Sequence, residues 1–377
     1  MEKINETKER SDKLSKKKSR KTKGRFKQLS GTRIRSNQDV ATMERNISIL
    51  RKIMISRGAI ERDFPILEKT KQLLKKYDDE EKLIYTLAKP EKCKRDIEDI
   101  SLRYDLTCQY LMYREQGKSS TFQFGRVFRR ESASLLKMRY REFYQFDYDL
   151  CGYPIKFAVR EIFDSLFECL DQLGIKEDTY EIQVNDRQLI NNIFDKLKIP
   201  EDKWNTICST LDKKDKYDSW QKITDELKEK KIEKRNELIE EIKKTTFLDD
   251  SLLKDFPCLK FNPTLVRGLN YYTGIIFEVV LKKQKISIVG GGEYQNSIGF
   301  SIGLDRVLLL TKKPLIQKTL YIIVIGDFLM PAIVYVKKLR QKHTIVKIYP
   351  ISKKTQIRNA ISKINRNNDL FEVFNEK

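Results

Sequence analysis

The 377-residue chain predicts an α+β fold: an antiparallel sheet flanked by helices, with a helical insertion and a small C-terminal α/β domain. Three observations predict it. Strand-like runs follow one another between residues 101 and 151 without an intervening helical pattern, which favours antiparallel pairing over βαβ units. A strongly charged helical stretch over about 188–255 then interrupts the sheet pattern, which resumes at 258–281 and 286–290. The last stretch, 317–377, reads β-α-β-α and is expected to be a separate domain.

Residues 1–27 carry 12 Lys+Arg against 4 Asp+Glu with no apolar periodicity, so a basic disordered tail is expected over about 1–30. It has no apolar stretch of signal-peptide type, and Glu2, Glu6, Glu9 and Asp12 argue against an organelle transit peptide. The sheet-bearing domain is expected over 31–316. It begins with Met43, Ile47, Leu50 and Met54 at helical spacing, stopped by Gly58. AIERDFPILE (59–68) reads as extended, and Pro65 suits an edge or interface strand. In SLRYDLT (101–107) Leu102, Tyr104 and Leu106 alternate against Arg103, Asp105 and Thr107, which predicts a strand. FQFGRVFRRE (122–131) and REFYQFDYDLCG (141–152) follow as the next two. Helices are expected over 158–172 and 188–250, where DELKEKKIEKRNELIEEIKK reads as a solvated helix face. SIGFSIGLDRVLLL leads from the sheet into a helix. In the last domain TLYIIVIG and TIVKIYPI are strands, each followed by a helix, near 329–341 and 354–365.

The formal charge is +22, of which the 1–27 segment supplies +8 (12 minus 4) and the remainder +14. A basic body as well as a basic tail points to a polyanionic partner such as a nucleic acid. No apolar run approaches the roughly 18–20 residues of a membrane span, so no membrane partner is expected. The six cysteines form no C-x-x-C pair and His343 is the only histidine, which argues against a protein zinc site and against a charge-relay triad. Scattered thiols suit a reducing compartment, and a cytoplasmic location or its equivalent is expected.

The candidate site is written in alternating positions. On a strand Phe143, Gln145, Asp147 and Asp149 share one face and Tyr144, Phe146, Tyr148 and Leu150 the other. If the aromatic face is core, the polar face is either wet or the floor of a ligand site. Arg129 and Glu131 fall on one face of their run, and Asp105 and Thr107 on one face of theirs. Carboxylates fit an ammonium or an imidazole N–H, and arginines fit a carboxylate or phosphate, so a site holding both suits a zwitterion beside a polyphosphate. Neither a P-loop nor a dinucleotide fingerprint is present, so arginines would have to hold any ATP phosphates.

FRRES…MRYREFYQFDYDLCG resembles motif 2 of the class II aminoacyl-tRNA synthetases in its histidyl form, and GFSIGLDRVLLL resembles motif 3. The helix at 40–57 with FPILE resembles motif 1. LRYDLT and LVRGLNYYTG (265–274) are similar to the two histidine-specific signatures of the histidyl-tRNA synthetases. The resemblance runs over about 30–326, includes VNDRQLI (184–190), and looks most like the eukaryotic cytosolic type. It implies a homodimer with motif 1 at its interface, and ATP, Mg²⁺ on the ATP, L-histidine and tRNA(His) as ligands.

By the same resemblance Arg129 contacts the α-phosphate, Glu131 the adenine amino group, and Phe143 stacks on the ring. Arg139 and Arg306 hold the outer phosphates. Asp105, Thr107 and Gln145 take the α-ammonium of histidine, and Leu106 and Arg129 also belong to the histidine-binding set. Asp149, Tyr271, Tyr272 and Tyr294 line the imidazole end. Arg267 bridges the substrate carboxylate and the α-phosphate, and Arg129 and Arg267 are the expected catalytic pair. The chain departs from the family pattern at Glu293 and Gln295, where an arginine and an aspartate are usual, and at Asn270 for an aspartate. The loop from Gln295 to Gly299, the helical insertion and the last domain are all short. A charge reversal at Glu293 is expected to weaken activity. The rival reading is a non-catalytic regulator that senses histidine or tRNA; retention of Arg129, Glu131, Arg139, Arg267 and Arg306 favours the ligase.

Overall fold

The computed structural model describes residues 28–74, 83–87, 99–113, 117–134, 138–214, 217, 219–247, 249–266, 272–311, 319–326, 328–342, 345–365 and 369–374. The basic segment 1–27, Arg267, Tyr271 and His343 lie outside them. The chain divides into two compact units, one formed by residues 1–36 and 43–311 and the other by 37–42 and 312–377, in each case as far as those residues are described.

The larger unit is built on ten strands, β1 (Ile60–Glu61), β2 (Leu67–Lys69), β3 (Ile100–Leu102), β4 (Ser119–Phe128), β5 (Glu142–Cys151), β6 (Tyr180–Asp186), β7 (Leu259–Phe261), β8 (Ile275–Leu281), β9 (Ser287–Tyr294) and β10 (Ser297–Gly303). Eight of them form one sheet in the order β1-β4-β5-β10-β9-β8-β6-β7, and β2 pairs with β3 alone. Every neighbouring pair in the large sheet is antiparallel except its two outermost, β1 with β4 and β6 with β7. The expected antiparallel sheet is therefore present, with a parallel strand added at each edge.

Its helices are α1 (Asn37–Ser56, of which the part from Met43 onward falls in this unit), α2 (Thr70–Leu74), α3 (Thr107–Tyr113), α4 (Ile155–Gln172), α5 (Arg187–Lys196), α6 (Glu201–Leu211), α7 (Trp220–Glu229), α8 (Arg235–Lys244), α9 (Asp250–Asp255) and α10 (Leu304–Val307). In α4 the buried residues Val159, Ile162, Phe163, Leu166 and Leu170 recur every three to four positions, so one stripe faces the sheet. Met43, Ile47, Leu50 and Met54 do the same for α1. Both stripes join Phe122, Phe146, Tyr148, Phe277 and Phe300 in one core. Each fully buried Phe or Leu there contributes about 1.5–3 kcal/mol. Just past the end of α1, Arg57 reaches Glu161, Asp164 and Glu168 of α4 at 2.7, 2.7 and 2.5 Å, tying the two helices together at one end.

The charged stretch around 220–244 is two helices, α7 and α8, rather than one. Ile223 and Leu227 on α7, Ile232 between them, and Leu238, Ile239 and Ile242 on α8 turn inward onto a second core shared with α5, α6 and Val266. The lysines and glutamates take the opposite face, as an amphipathic pattern requires.

The smaller unit holds β11 (Leu320–Ile325), α11 (Leu329–Lys342), β12 (Val346–Ile351), α12 (Ile357–Asn365) and β13 (Leu370–Phe374). Its three strands are all parallel in the order β12-β11-β13, so Ile322 and Val324 face Ala332, Val336 and Val346 while Ile323 faces Ala360 and Ile364. The β-α-β-α reading is extended here by a fifth element, β13, which the sequence reading missed.

Candidate active site

The alternation in β5 puts its aromatic residues in the core, and its polar face is covered as well. Gln145, Asp147 and Asp149 are all buried, which removes the wet alternative and leaves three polar side chains on an enclosed floor. In register, Gln145 lies beside Gly125 on one flank and Gly303 on the other, Asp147 between Gln123 and Ser301, and Asp149 between Thr121 and Gly299. Gln145 donates from Nε2 to Ser301 Oγ at 2.7 Å, and Gln123 donates to the Leu106 carbonyl at 2.9 Å.

Asp149 accepts a short hydrogen bond from the Tyr294 hydroxyl, both groups being buried. The Tyr272 ring packs 6.3 Å from that of Tyr294 at 60°. Burial, partly offset by the Tyr294 bond, pushes the Asp149 carboxyl up to about 7, and neighbouring Asp105 adds to the rise. Burial and the Asp149 charge push the Tyr294 phenol upward too. An acid pair of this kind resists carrying charge until a cationic or N–H-donating ligand arrives.

Two strand readings need correction. LRYDLT leaves the ladder at Leu102 and turns into α3, whose first residue is Thr107. Asp105 is there as a helix cap: its Oδ1 accepts from the Cys108 N–H at 3.0 Å. Thr107 still reaches the floor, donating to Asp147 Oδ2 at 3.4 Å. Likewise β4 stops at Phe128, so Arg129 and Glu131 lie beyond the strand rather than on one of its faces. The Arg129 guanidinium stacks 4.3 Å from the Tyr104 ring centre and 5.3 Å from that of Phe143, and its Nε donates to the Tyr104 carbonyl at 3.1 Å. Arg139 Nη1 lies 3.8 Å from Glu131 Oε2. Arg306 donates to the Met138 carbonyl at 3.4 Å, which places it at the residue preceding Arg139. The Glu293 carboxyl accepts from the Ile275 N–H, and burial together with Asp186 pushes its pKa upward.

Residues 28–36 lie against the same region. Asp305, 2% exposed, takes Arg33 at 2.8 Å and Arg35 at 2.7 Å on one oxygen and the Tyr144 N–H at 2.7 Å on the other. Arg33 stacks on Tyr140 and Arg35 on Tyr144, and the Gly31 carbonyl accepts from the Arg141 N–H. This segment thus braces the loop that carries Arg139.

Residues 31–254 and 230–307 match the family profile described as Histidyl-tRNA synthetase. The chain belongs to that family. It is 32% identical over 342 residues to the histidine–tRNA ligase, cytoplasmic, of Oryza sativa subsp. japonica, covering 76% of this chain and 42% of that protein. It is 30% identical over 346 residues to the cytoplasmic enzyme of Dictyostelium discoideum, covering 78% of this chain and 70% of that one. The chain thus spans less than half the length of the Oryza relative. Among solved structures it superposes on an ATP phosphoribosyltransferase regulatory subunit/histidyl-tRNA synthetase from Bacillus halodurans C with a TM-score of 0.69 at 15% identity, covering 93% and 98% of the two chains. That likeness carries the fold: a mostly antiparallel sheet flanked by helices, the class II arrangement.

Within this family setting the structure gathers Asp105, Leu106, Thr107, Arg129, Phe143, Gln145, Asp149, Tyr272 and Tyr294 around the β5 face, and sets Glu131, Arg139 and Arg306 beside it. Arg267 and Tyr271 lie outside the described residues. Three participants were not picked out from sequence, and Asp147 was placed on the polar face without a role of its own. Gln123 could have been found, because it occupies the polar phase of its own alternating run; Ser301 and Asp305 had no local signal.

Proposed function

We infer that the chain is a histidine–tRNA ligase. It activates histidine with ATP to histidyl-adenylate and transfers the histidyl group to the 3′ end of tRNA(His). The observation that carries this reading is the enclosed Gln145–Asp147–Asp149 floor, next to Arg129 held between Tyr104 and Phe143. An acidic pocket suits the ammonium and imidazole of the amino acid, and a stacked arginine suits a phosphate.

The chemistry asks little else of the protein. A substrate carboxylate oxygen attacks the α-phosphorus and pyrophosphate leaves; the nucleophile is already ionised, so no general base is needed. Two anions must be held in line while negative charge builds, a task that Arg129 suits by position and charge and that family resemblance gives also to Arg267. A terminal ribose hydroxyl then attacks the acyl carbon and AMP leaves. Arg139 and Arg306, adjacent at Met138, suit the outer phosphates, and Mg²⁺ on the nucleotide adds further charge neutralisation when bound. Histidine is chosen by hydrogen bonds at Asp149 and Tyr294, because an isostere lacking the ring N–H leaves those buried groups unpaired.

Further parts of the reading rest on composition and exposure. Ile60, Ile66, Leu67 and Leu87 are exposed on and beside β1 and β2, an apolar surface that suits a homodimer contact near motif 1. The net charge of +22 suits tRNA. The unit at 317–377 is taken as a shortened anticodon-binding-like domain, and free buried cysteines suit a cytoplasmic or other reducing compartment.

Pyrophosphate exchange into ATP tests the reading. Exchange with the purified chain should depend on L-histidine and be lost in Arg129→Ala and in Arg267→Ala. If none of the twenty amino acids supports exchange while tRNA still binds, the regulator reading replaces this one.

A further inference from the structure

Asp147 is the middle member of the β5 polar face, and none of the individual histidine or ATP contacts drawn from the family resemblance is assigned to it. The residue is 1% exposed. Its Oδ2 takes the long bond from Thr107, while its Oδ1 has no hydrogen-bond partner among the described residues. Gln123, across the ladder on β4, gives its amide to the Leu106 carbonyl. Ser301, across on β10, receives the Gln145 amide and with its own hydroxyl favours the ionised Asp147 carboxylate. Tyr294 on β9 is bonded to Asp149. Arg103, the arginine on the segment leading to α3, donates to the Arg126 and Phe64 carbonyls at 2.7 and 2.9 Å. Gln145 Oε1, two residues earlier on the same face, is also buried without a partner.

A buried carboxylate oxygen and a buried amide oxygen, two residues apart on one strand face and both lacking a donor, are costly unless something donates to them. An ammonium group has three donors and no acceptor, which is the complement of this pair. Asp105, which family resemblance would make the ammonium receiver, has one oxygen committed to capping α3. We propose that Asp147, with Gln145 Oε1 beside it, receives the ammonium group of the amino-acid substrate and so selects amino acids over their des-amino analogues.

Burial, Asp149 and Asp105 all push the Asp147 carboxyl upward, with the Ser301 hydroxyl and then Arg129 opposing them. The free site thus resists gathering three charges on its floor, and an arriving cation provides the compensation. The proposal rests on the amino-acid reading of the site, though not on the transfer to tRNA.

The test is calorimetric binding of L-histidine and of imidazolepropionate, the same molecule without its ammonium, to the full chain and to Asp147→Asn. The isosteric amide can still accept from Thr107. We expect the variant to bind L-histidine roughly 10- to 100-fold more weakly, the range a hydrogen bond to a charged group carries, with imidazolepropionate changed by less than about threefold. The selectivity ratio, not the affinity alone, is the readout, because a merely structural loss would weaken both ligands together. Parallel loss, or an unchanged ratio, overturns the proposal. If L-histidine does not bind the parent chain, the twenty L-amino acids are screened by thermal shift. Selective weakening of any binder in Asp147→Asn then upholds Asp147 while the histidine reading falls. Binding of none of them overturns both.

Discussion

Tyr294 on β9 donates its hydroxyl hydrogen to Asp149 on β5 across an intervening strand, β10. The bridge is possible because Gly299 on β10 sits directly opposite Asp149 and has no side chain to fill the gap. A Cβ at Gly299 would stand 2.1 Å from Asp149 Oδ1 and 2.5 Å from the Tyr148 carbonyl oxygen.

Gly299→Ala should therefore displace the Asp149 carboxyl and strain the β5–β10 ladder together. We expect about 1–3 kcal/mol of lost stability in urea unfolding, the usual range for overpacking, and loss of histidine-supported exchange in whatever folded protein remains.

Asp149 also sets a pH dependence. Its folded pKa is raised to about 7, against roughly 3.9 in an unfolded chain. Between those values the folded chain keeps a proton that the unfolded chain has released. Its contribution is thus fully present below about pH 4 and lost as pH rises through about 7. Asp149→Asn removes that penalty. At pH 8 the ligand-free variant should melt above the parent, by a stability on the order of 2–4 kcal/mol, while its exchange activity collapses. A variant that melts no higher than the parent at pH 8 would refute this assignment.

Arg129 depends on shape as well as charge, because its guanidinium sits over the Tyr104 ring, against Phe143, while its Nε donates to the Tyr104 carbonyl. Arg129→Lys keeps the charge and loses the plane, so it should behave much more like Arg129→Ala than like the parent. Steady-state exchange should fall by about 10²–10³ in Arg129→Ala, the cost of removing one preorganised charge-stabilising donor, with melting little changed.

Asp305→Ala would leave the Arg33 and Arg35 guanidinium groups, which are 20% and 12% exposed, without their shared carboxylate. It also strands the Tyr144 N–H near the start of β5. We expect about 3–5 kcal/mol of destabilisation, as for breaking a buried pair from one side, read as a lower urea midpoint. The conservative Asp305→Asn should recover part of it through the Tyr144 bond.

Much of this was legible in the chain, and the rest was not for identifiable reasons. The β5 alternation, the α1 stripe at Met43, Ile47, Leu50 and Met54, and the four C-terminal elements from 320 to 365 all stand where periodicity puts them. LRYDLT misled because a helix cap at Asp105 happens to continue a period-two pattern for a few residues past the true strand end. Arg129 misled in the same way, since nothing in FGRVFRRE marks Phe128 as the last paired residue. β6 is written as an alternation in YEIQVND but sits between helical stretches, and β13 is only five residues long. The Asp305 cluster joins positions 270 and more residues apart, a separation no local pattern encodes. The charge balance around Asp147 emerges only once four segments have been folded against one another.

The Arg33 and Arg35 contacts bear on how the chain may be shortened. A boundary drawn at the first residue of α1, Asn37, would look safe from secondary structure, yet it would delete both guanidinium partners of a buried carboxylate and leave the arginine-bearing loop unbraced. A minimal folded fragment, or a fusion joined at the N-terminal side, has to retain the turn around residues 29–35 intact.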